Sequence, residues 1–299
     1  MKRAVALFSA VLLLLLCGCK GGKTNSDSRI NVVTTVFPIY DLVRAVAGDK
    51  ADIRMLISPG TEVHSFDPSP SDMKAVYKSD AFFYIGGESD KWVDTVAEDI
   101  SEPTALIECV EHSHEAEHGH GHAHADEHIW TSPAVAVKMV ERITERLVDV
   151  DSDNEEYYRQ NAQDYIARIE DAAKRISAVV KKQNDPFVLV ADRNPYTYFF
   201  EEFEIEYIAA LDGCANSADI SLNTMSRLIA AVKEKNLKCA YYTELSNKKI
   251  ASVLAQETGI ALYQLNSAHN VTADEFEAGI TYVDLMYANA EALEKGWEK

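Results

Sequence analysis

Apolar residues fall along this chain in two rhythms. Short runs rich in Val, Ile, Phe and Tyr occupy 31–37, 52–57, 81–85, 187–191, 205–209, 239–243 and 261–265, with the length and composition of strands. Most are followed by stretches in which apolar residues return every three or four positions, the helical period. Alternating strands and helices predict parallel sheets covered by helices. The longest helical pattern separates the fourth run from the third and covers 154–183, where Tyr158, Ala162, Tyr165, Ile169, Ala172, Ile176 and Val180 recur at that spacing. At about 1.5 Å per residue this predicts a helix near 45 Å long, enough to run the length of a two-lobed body. Asp185 and Pro186 stop it directly before the next strand, and about four heptads are too few to favour a coiled-coil partner helix. The expected fold class is α/β: two lobes of parallel sheet flanked by helices and joined by one long spine helix.

The amino terminus departs from this rhythm. Lys2 and Arg3 precede an apolar run from Ala4 to Leu16, the form of a secretory signal. Such a run is shorter than the roughly 20 residues a membrane-spanning helix needs. It closes on Leu16-Cys17-Gly18-Cys19, which resembles a bacterial lipobox. That resemblance implies lipidation of Cys19, a polar tether behind it, and an extracytoplasmic body anchored to the cell membrane by lipid. The expected organisation is a signal peptide over 1–18, a tether over 19–29, an N-terminal lobe over 30–153 with a His-rich loop at 111–127, a linking helix over 154–184, and a C-terminal lobe over 185–299. About 280 residues beyond the signal suit two lobes rather than one core.

The formal net charge of −19 makes a nucleic-acid partner untenable and favours cations. Of five cysteines, Cys17 leaves with the signal and Cys19 takes the lipid, so Cys109, Cys214 and Cys239 remain without CxxC spacing. A Cys214–Cys239 disulfide is compatible with an oxidising exterior but is not dictated by the sequence.

Seven of nine histidines lie between His112 and His128, interleaved with carboxylates. Imidazole and carboxylate are ligands of borderline first-row ions, so His112, His114, His118, His120, His122 and His124 read as a weak, multivalent metal loop. His-rich tracts serve importers, chaperones and stores alike, so the tract fixes the element class and leaves the role open.

Two further segments carry a family resemblance. Pro59-Gly-Thr-Glu-Val-His64-Ser-Phe-Asp-Pro-Ser-Pro-Ser-Asp72 and Asp126-Glu-His128-Ile-Trp-Thr-Ser-Pro133 resemble the first two metal-ligand motifs of the zinc/manganese-binding lipoproteins of metal ABC importers, in the zinc-uptake-like cluster A-I. The likeness covers nearly the whole mature chain and implies metal bound between the lobes, with His64 and His128 as ligands. Physical reasoning points the same way: His64 follows a strand and a Pro-Gly turn, at the carboxyl end of the sheet where open α/β folds bind ligands. Trp130 and Pro133 would bury the loop end that carries His128, although His124 is close enough in sequence to substitute.

The second lobe departs from the family pattern. The resemblance places a third ligand where Arg193 stands, before the run Tyr196-Thr-Tyr-Phe199, and a guanidinium cannot ligate. A fourth position, usually Asp, aligns with Asn266. His269, the lone histidine of this lobe, is the expected replacement. Asp192-Arg-Asn-Pro-Tyr196 and Leu265-Asn-Ser-Ala-His-Asn-Val-Thr272 resemble a subgroup common in anaerobic Gram-positive bacteria. Glu244 matches a family glutamate that faces the cleft and is either a ligand or the partner of Arg193. Asp192 is a weaker ligand candidate and would otherwise hold Arg193 or a histidine ring.

Two or three imidazoles with one carboxylate suit tetrahedral Zn(II) better than Mn(II), which favours oxygen donors. The expected role is capture of Zn(II) and delivery to an ABC permease by a lipid-anchored monomer. The alternatives are an adhesin or metal chaperone on the same fold, or Mn(II) or Fe(II) as cargo. An enzyme is not expected, since no HExxH, nucleophile elbow or second carboxylate cluster is present.

Overall fold

The computed structural model describes residues 29–63, 66–110, 126–212 and 220–298. Cys19, His64, Cys214 and the histidines from His112 to His124 lie outside the described residues. Strands β1 Ile30–Thr34, β2 Ala51–Met55, β3 Ala81–Tyr84 and β4 Thr104–Ala105 form one sheet in the order β2-β1-β3-β4. The second sheet, built from β5 Phe187–Asn194, β6 Glu206–Asp212, β7 Cys239–Tyr242 and β8 Ala261–Gln264, has the order β6-β5-β7-β8. All pairings are parallel. All seven expected runs form strands. The eighth, β4, is two residues long and directly follows Pro103, too short to show a period.

Both lobes are wound alike. The chain leaves the first strand of each sheet to one side, then crosses to the other, which opens a crevice at the carboxyl ends of β1 and β3 and of β5 and β7. The two crevices face each other. The spine helix Glu155–Val180 joins the lobes and is about 39 Å long at the usual rise. It is shorter than the periodicity predicts because Lys181 and Lys182 relax into a turn. Its apolar stripe, including Tyr158, Tyr165, Ile169 and Ile176, is buried and packs on helices Phe37–Ala47 and Pro133–Val150 of the first lobe and on Tyr282–Trp297 of the second.

Asp41 ties these pieces together. Its carboxylate accepts hydrogen bonds from the Tyr165 hydroxyl of the spine, from the backbone N–H of Tyr282 at 2.7 Å, and from Arg44. Arg44 also donates to the carbonyl of Ile280 at 2.8 Å. Burial pushes the Asp41 carboxyl above its ordinary value despite these bonds.

The final helix meets β7 closely. A Cβ on Gly296 would fall 2.0 Å from the Tyr241 hydroxyl and 2.7 Å from Cys239 Sγ, so the contact requires glycine. Cys239 is a buried free thiol at 3.4 Å from the Gly296 carbonyl. Cys214, its partner in the disulfide left open by the sequence, lies outside the described residues. No helix among the described residues is long and apolar enough to cross a membrane.

Candidate metal centre

Residues 126–132 enter the cleft from the first lobe and are anchored by their neighbours. Ile129 and Trp130 are fully buried. Ser132 caps the following helix, with Pro133 at its first turn, and Glu202 of the second lobe accepts from both Ser132 Oγ and the N–H of Ala134. The Trp130 indole N–H crosses the lobes to the Ser267 carbonyl at 2.7 Å, and the Tyr282 hydroxyl donates to the Trp130 carbonyl at 2.8 Å. Position 128 is thus fixed by both lobes.

His128 is 2% exposed. Its Nδ1 lies 2.6 Å from Asp126 Oδ1, and its backbone N–H reaches the same oxygen at 3.0 Å. Burial alone would raise the Asp126 carboxyl, but hydrogen bonds from the His128 ring and backbone, and from Thr197, hold it below the usual range. An ionised Asp126 assigns the proton to Nδ1 and makes Nε2 the basic nitrogen of the ring, as in carboxylate–histidine–metal arrangements.

The second lobe supplies His269. Its ring centroid lies 4.9 Å from that of His128, at an interplanar angle of 89°, and 4.9 Å from that of Trp130. Ala268, just before it, has φ +58°, a left-handed conformation that costs an alanine about 1–2 kcal/mol. Glu244 stabilises this turn. Its carboxylate accepts from Ser267 N–H at 2.7 Å, His269 N–H at 3.0 Å and the Ser267 hydroxyl, so the two amides straddling Ala268 converge on one anion. Burial raises the Glu244 carboxyl overall, although those bonds oppose the rise.

Donor atoms of Glu127, His128 and His269 lie within 4.8 Å of one another, and Glu127 and His128 are buried. Two of these residues were expected from the sequence and Glu127 was not. It sits between the other carboxylate and the histidine of a motif already singled out, but in so acidic a chain a carboxylate carries little signal by itself. Glu244 is not among these three donors; its carboxylate holds the turn that presents His269. The Arg193 guanidinium reaches across the cleft to Glu62, at 3.4 Å, while the Glu244 oxygens accept from the 267–269 turn. Asp192 accepts from the N–H of Arg193 at 2.9 Å and the Thr243 hydroxyl at 3.2 Å; it too lies outside the donor cluster. Asn266 is buried in a reciprocal amide pair with Asn289.

His64 lies outside the described residues, but the chain leading to it is docked in the cleft. Gly60 donates to the Val271 carbonyl at 2.7 Å, and the Asn270 side-chain amide donates to the carbonyls of Ser58 and Thr61 at 3.1 and 3.0 Å. A cavity of about 360 Å³ opens beside His269, with Glu62, Arg193, Thr243 and Asn270 on its walls.

Comparison with known proteins places this geometry. A family model described as zinc-uptake complex component A, periplasmic, matches residues 32–296. The chain is 32% identical to the high-affinity zinc uptake system protein ZnuA of Bacillus subtilis strain 168, over 94% of this chain and 93% of that one. It is 27% identical to the zinc-binding lipoprotein AdcA of Streptococcus pneumoniae serotype 4, covering 99% of this chain but 61% of that longer protein. Among solved structures, the metal-dependent lipoprotein YcdH of Bacillus subtilis superposes with a TM-score of 0.77 at 27% identity, over 90% of this chain and 99% of that one.

Proposed function

The chain belongs to the family of the zinc-uptake complex component A, a periplasmic protein, and from that membership we propose that it holds one Zn(II) between its lobes on His64, His128 and His269. It is an extracytoplasmic solute-binding protein for zinc and not an enzyme: the imidazoles hold cargo for an ABC-type permease rather than run a reaction. The observation that supports this site is the meeting of the His128 and His269 rings from opposite lobes at 4.9 Å, with Asp126 set against Nδ1 of His128. Neutral imidazoles held by a second layer of hydrogen bonds are what a tetrahedral zinc site needs.

Lipid attachment at Cys19 and a monomeric state complete the reading. A lipid-modified amino terminus would keep the carrier at the membrane surface near the permease. The acidic tract from His112 to His124 raises the local concentration of metal at the cleft mouth without itself forming the tight site. Isothermal titration of wild-type protein and of a chain lacking residues 112–124 tests this directly. One tight event should persist in the shortened chain while several weak ones vanish. His269→Ala should weaken the tight event at least tenfold, about 1.4 kcal/mol. Loss of the tight event on removing the tract would place the main site there instead.

A further inference from the structure

A zinc ion sits about 2.0–2.3 Å from its ligands and needs no more room than that. The cavity in the crevice of the second lobe is about 360 Å³, the size of a small-molecule pocket. It opens at the carboxyl ends of β5 and β7, where Asp192 and Arg193 stand near the end of one strand and Thr243 and Glu244 directly follow the other. Neighbouring residues of a regular strand point to opposite faces. Between the pairs Val190–Ala209 and Arg193–Leu211, β5 carries one residue more than β6, and this bulge is why Asp192 and Arg193 both line the cavity. Leu211, Leu245 and Ile250 supply an apolar wall beside them. The Arg193 guanidinium makes one hydrogen bond among the described residues, to Glu62 at 3.4 Å, and the Glu62 side chain is 51% exposed. That bond is long for a charged pair and screened by solvent.

Resting on the interlobe zinc reading, we propose that this cavity takes a small organic chelator of zinc, its carboxylate held by the Arg193 guanidinium, so that the cargo is the zinc complex. The guanidinium fork matches a carboxylate with two parallel hydrogen bonds, a better arrangement than its long bond to Glu62. The apolar wall suits the carbon skeleton of an amino acid or hydroxy acid and offers nothing to an inorganic anion. Charge sets the order of binding. Among the described residues the wall carries three carboxylates, Glu62, Asp192 and Glu244, against the one guanidinium. A free anion is therefore repelled, and a dication beside it makes its entry favourable. Zinc and chelator favour each other's binding by the same factor. The competing role for Arg193 is a strut that only ties the lobes together through Glu62.

Equilibrium dialysis of the full-length protein against radiolabelled L-histidine, and separately against citrate, with and without one equivalent of Zn(II), reads the chelator directly. Zinc-loaded wild type should retain one equivalent of histidine or citrate, and apo protein should bind it at least tenfold more weakly. Preference for histidine assigns the amino-acid class, and preference for citrate the hydroxy-acid class. Arg193→Gln should raise the Kd of the retained chelator at least tenfold. Arg193→Lys, which keeps the charge without the fork, should raise it by a smaller factor. Glu62→Gln separates the two roles: it breaks the strut but removes a carboxylate that competes for the guanidinium, so retention should be as strong as in wild type or stronger. Complexes held on the tract 112–124 respond to none of these substitutions, so the differences between variants read the cavity alone. If Arg193→Gln fails to fold, Arg193→Lys and Glu62→Gln carry the test. Equal losses in the Arg193 and Glu62 variants would assign Arg193 to the strut and overturn the proposal, as would no retention of either compound by zinc-loaded wild type. A wild type with no tight zinc event would overturn the zinc reading itself.

Discussion

At the scale of single residues, the site is built by carboxylates that hold histidines in place. Asp126 fixes the tautomer of His128, and Glu244 fixes the left-handed turn that presents His269. A residue that acts through another should matter less than the residue it positions. Glu244→Ala leaves the amides of Ser267 and His269 without their acceptor. It should therefore cost about 1–3 kcal/mol of stability and weaken zinc binding by about tenfold, less than His269→Ala. Melting curves and chelator competition on the same samples measure both. If Glu244→Ala weakened zinc binding more than His269→Ala did, Glu244 would be a direct ligand.

At the scale of elements, the sheet strands and the spine were legible because burial on both faces or along one stripe leaves a period in the sequence. Tyr158, Tyr165 and Ile176 mark the spine plainly, whereas two-residue β4 has no room for a period. In the site, His128 was legible from its Trp-Ser-Pro surroundings, and His269 from being the lone imidazole of its lobe. Glu127, Asp126 and the Arg193–Glu62 pair were not legible as site features. Their roles depend on which loops meet across the cleft, and that is a property of the folded topology. The same bonds between the lobes, from Trp130 to Ser267, from Gly60 to Val271 and from Tyr282 to Asp41, join the lobes directly, and a single long helix cannot absorb the rotation that paired loop hinges allow. Small-angle scattering profiles of apo and zinc-loaded protein should nearly superpose, with a change in radius of gyration under about 1 Å. A change of several ångströms, as domain-closing carriers show, would contradict a stiff spine.

At the scale of the whole molecule, buried carboxylates make apo stability and zinc binding respond oppositely to pH. Asp90 is raised to about 6, chiefly by burial and further by the nearby charge of Glu127, against hydrogen bonds from Gly86 and Ile85. Asp41, Glu202 and Glu244 are raised as well, each by burial first. A carboxyl whose folded value lies above its unfolded value binds its proton more tightly in the folded state. Its favourable contribution is complete below the unfolded value of 3.8 and is lost as pH rises through about 6. Asp72 and Asp126 are lowered; burial opposes the shift, but hydrogen bonds, from Ser69 and Arg54 in one case and His128 in the other, overcome it. Their contribution is lost only as pH falls below that same value, so they do not enter the window from 7 to 5. Apo protein should accordingly melt higher at pH 5 than at pH 7, and Asp90→Asn, which keeps an acceptor oxygen, should flatten that rise. The zinc-induced increase in melting temperature should shrink over the same interval, because imidazoles must be neutral to bind metal.

One zinc ion should lie between the two lobes, held by His128 and His269. Anomalous diffraction from crystals of zinc-loaded protein, collected on either side of the zinc edge, locates the ion without reference to affinity. A dominant peak is expected about 2.0–2.1 Å from the Nε2 of His128 and from a ring nitrogen of His269. A dominant peak on the tract from His112 to His124, with none between the lobes, would contradict it.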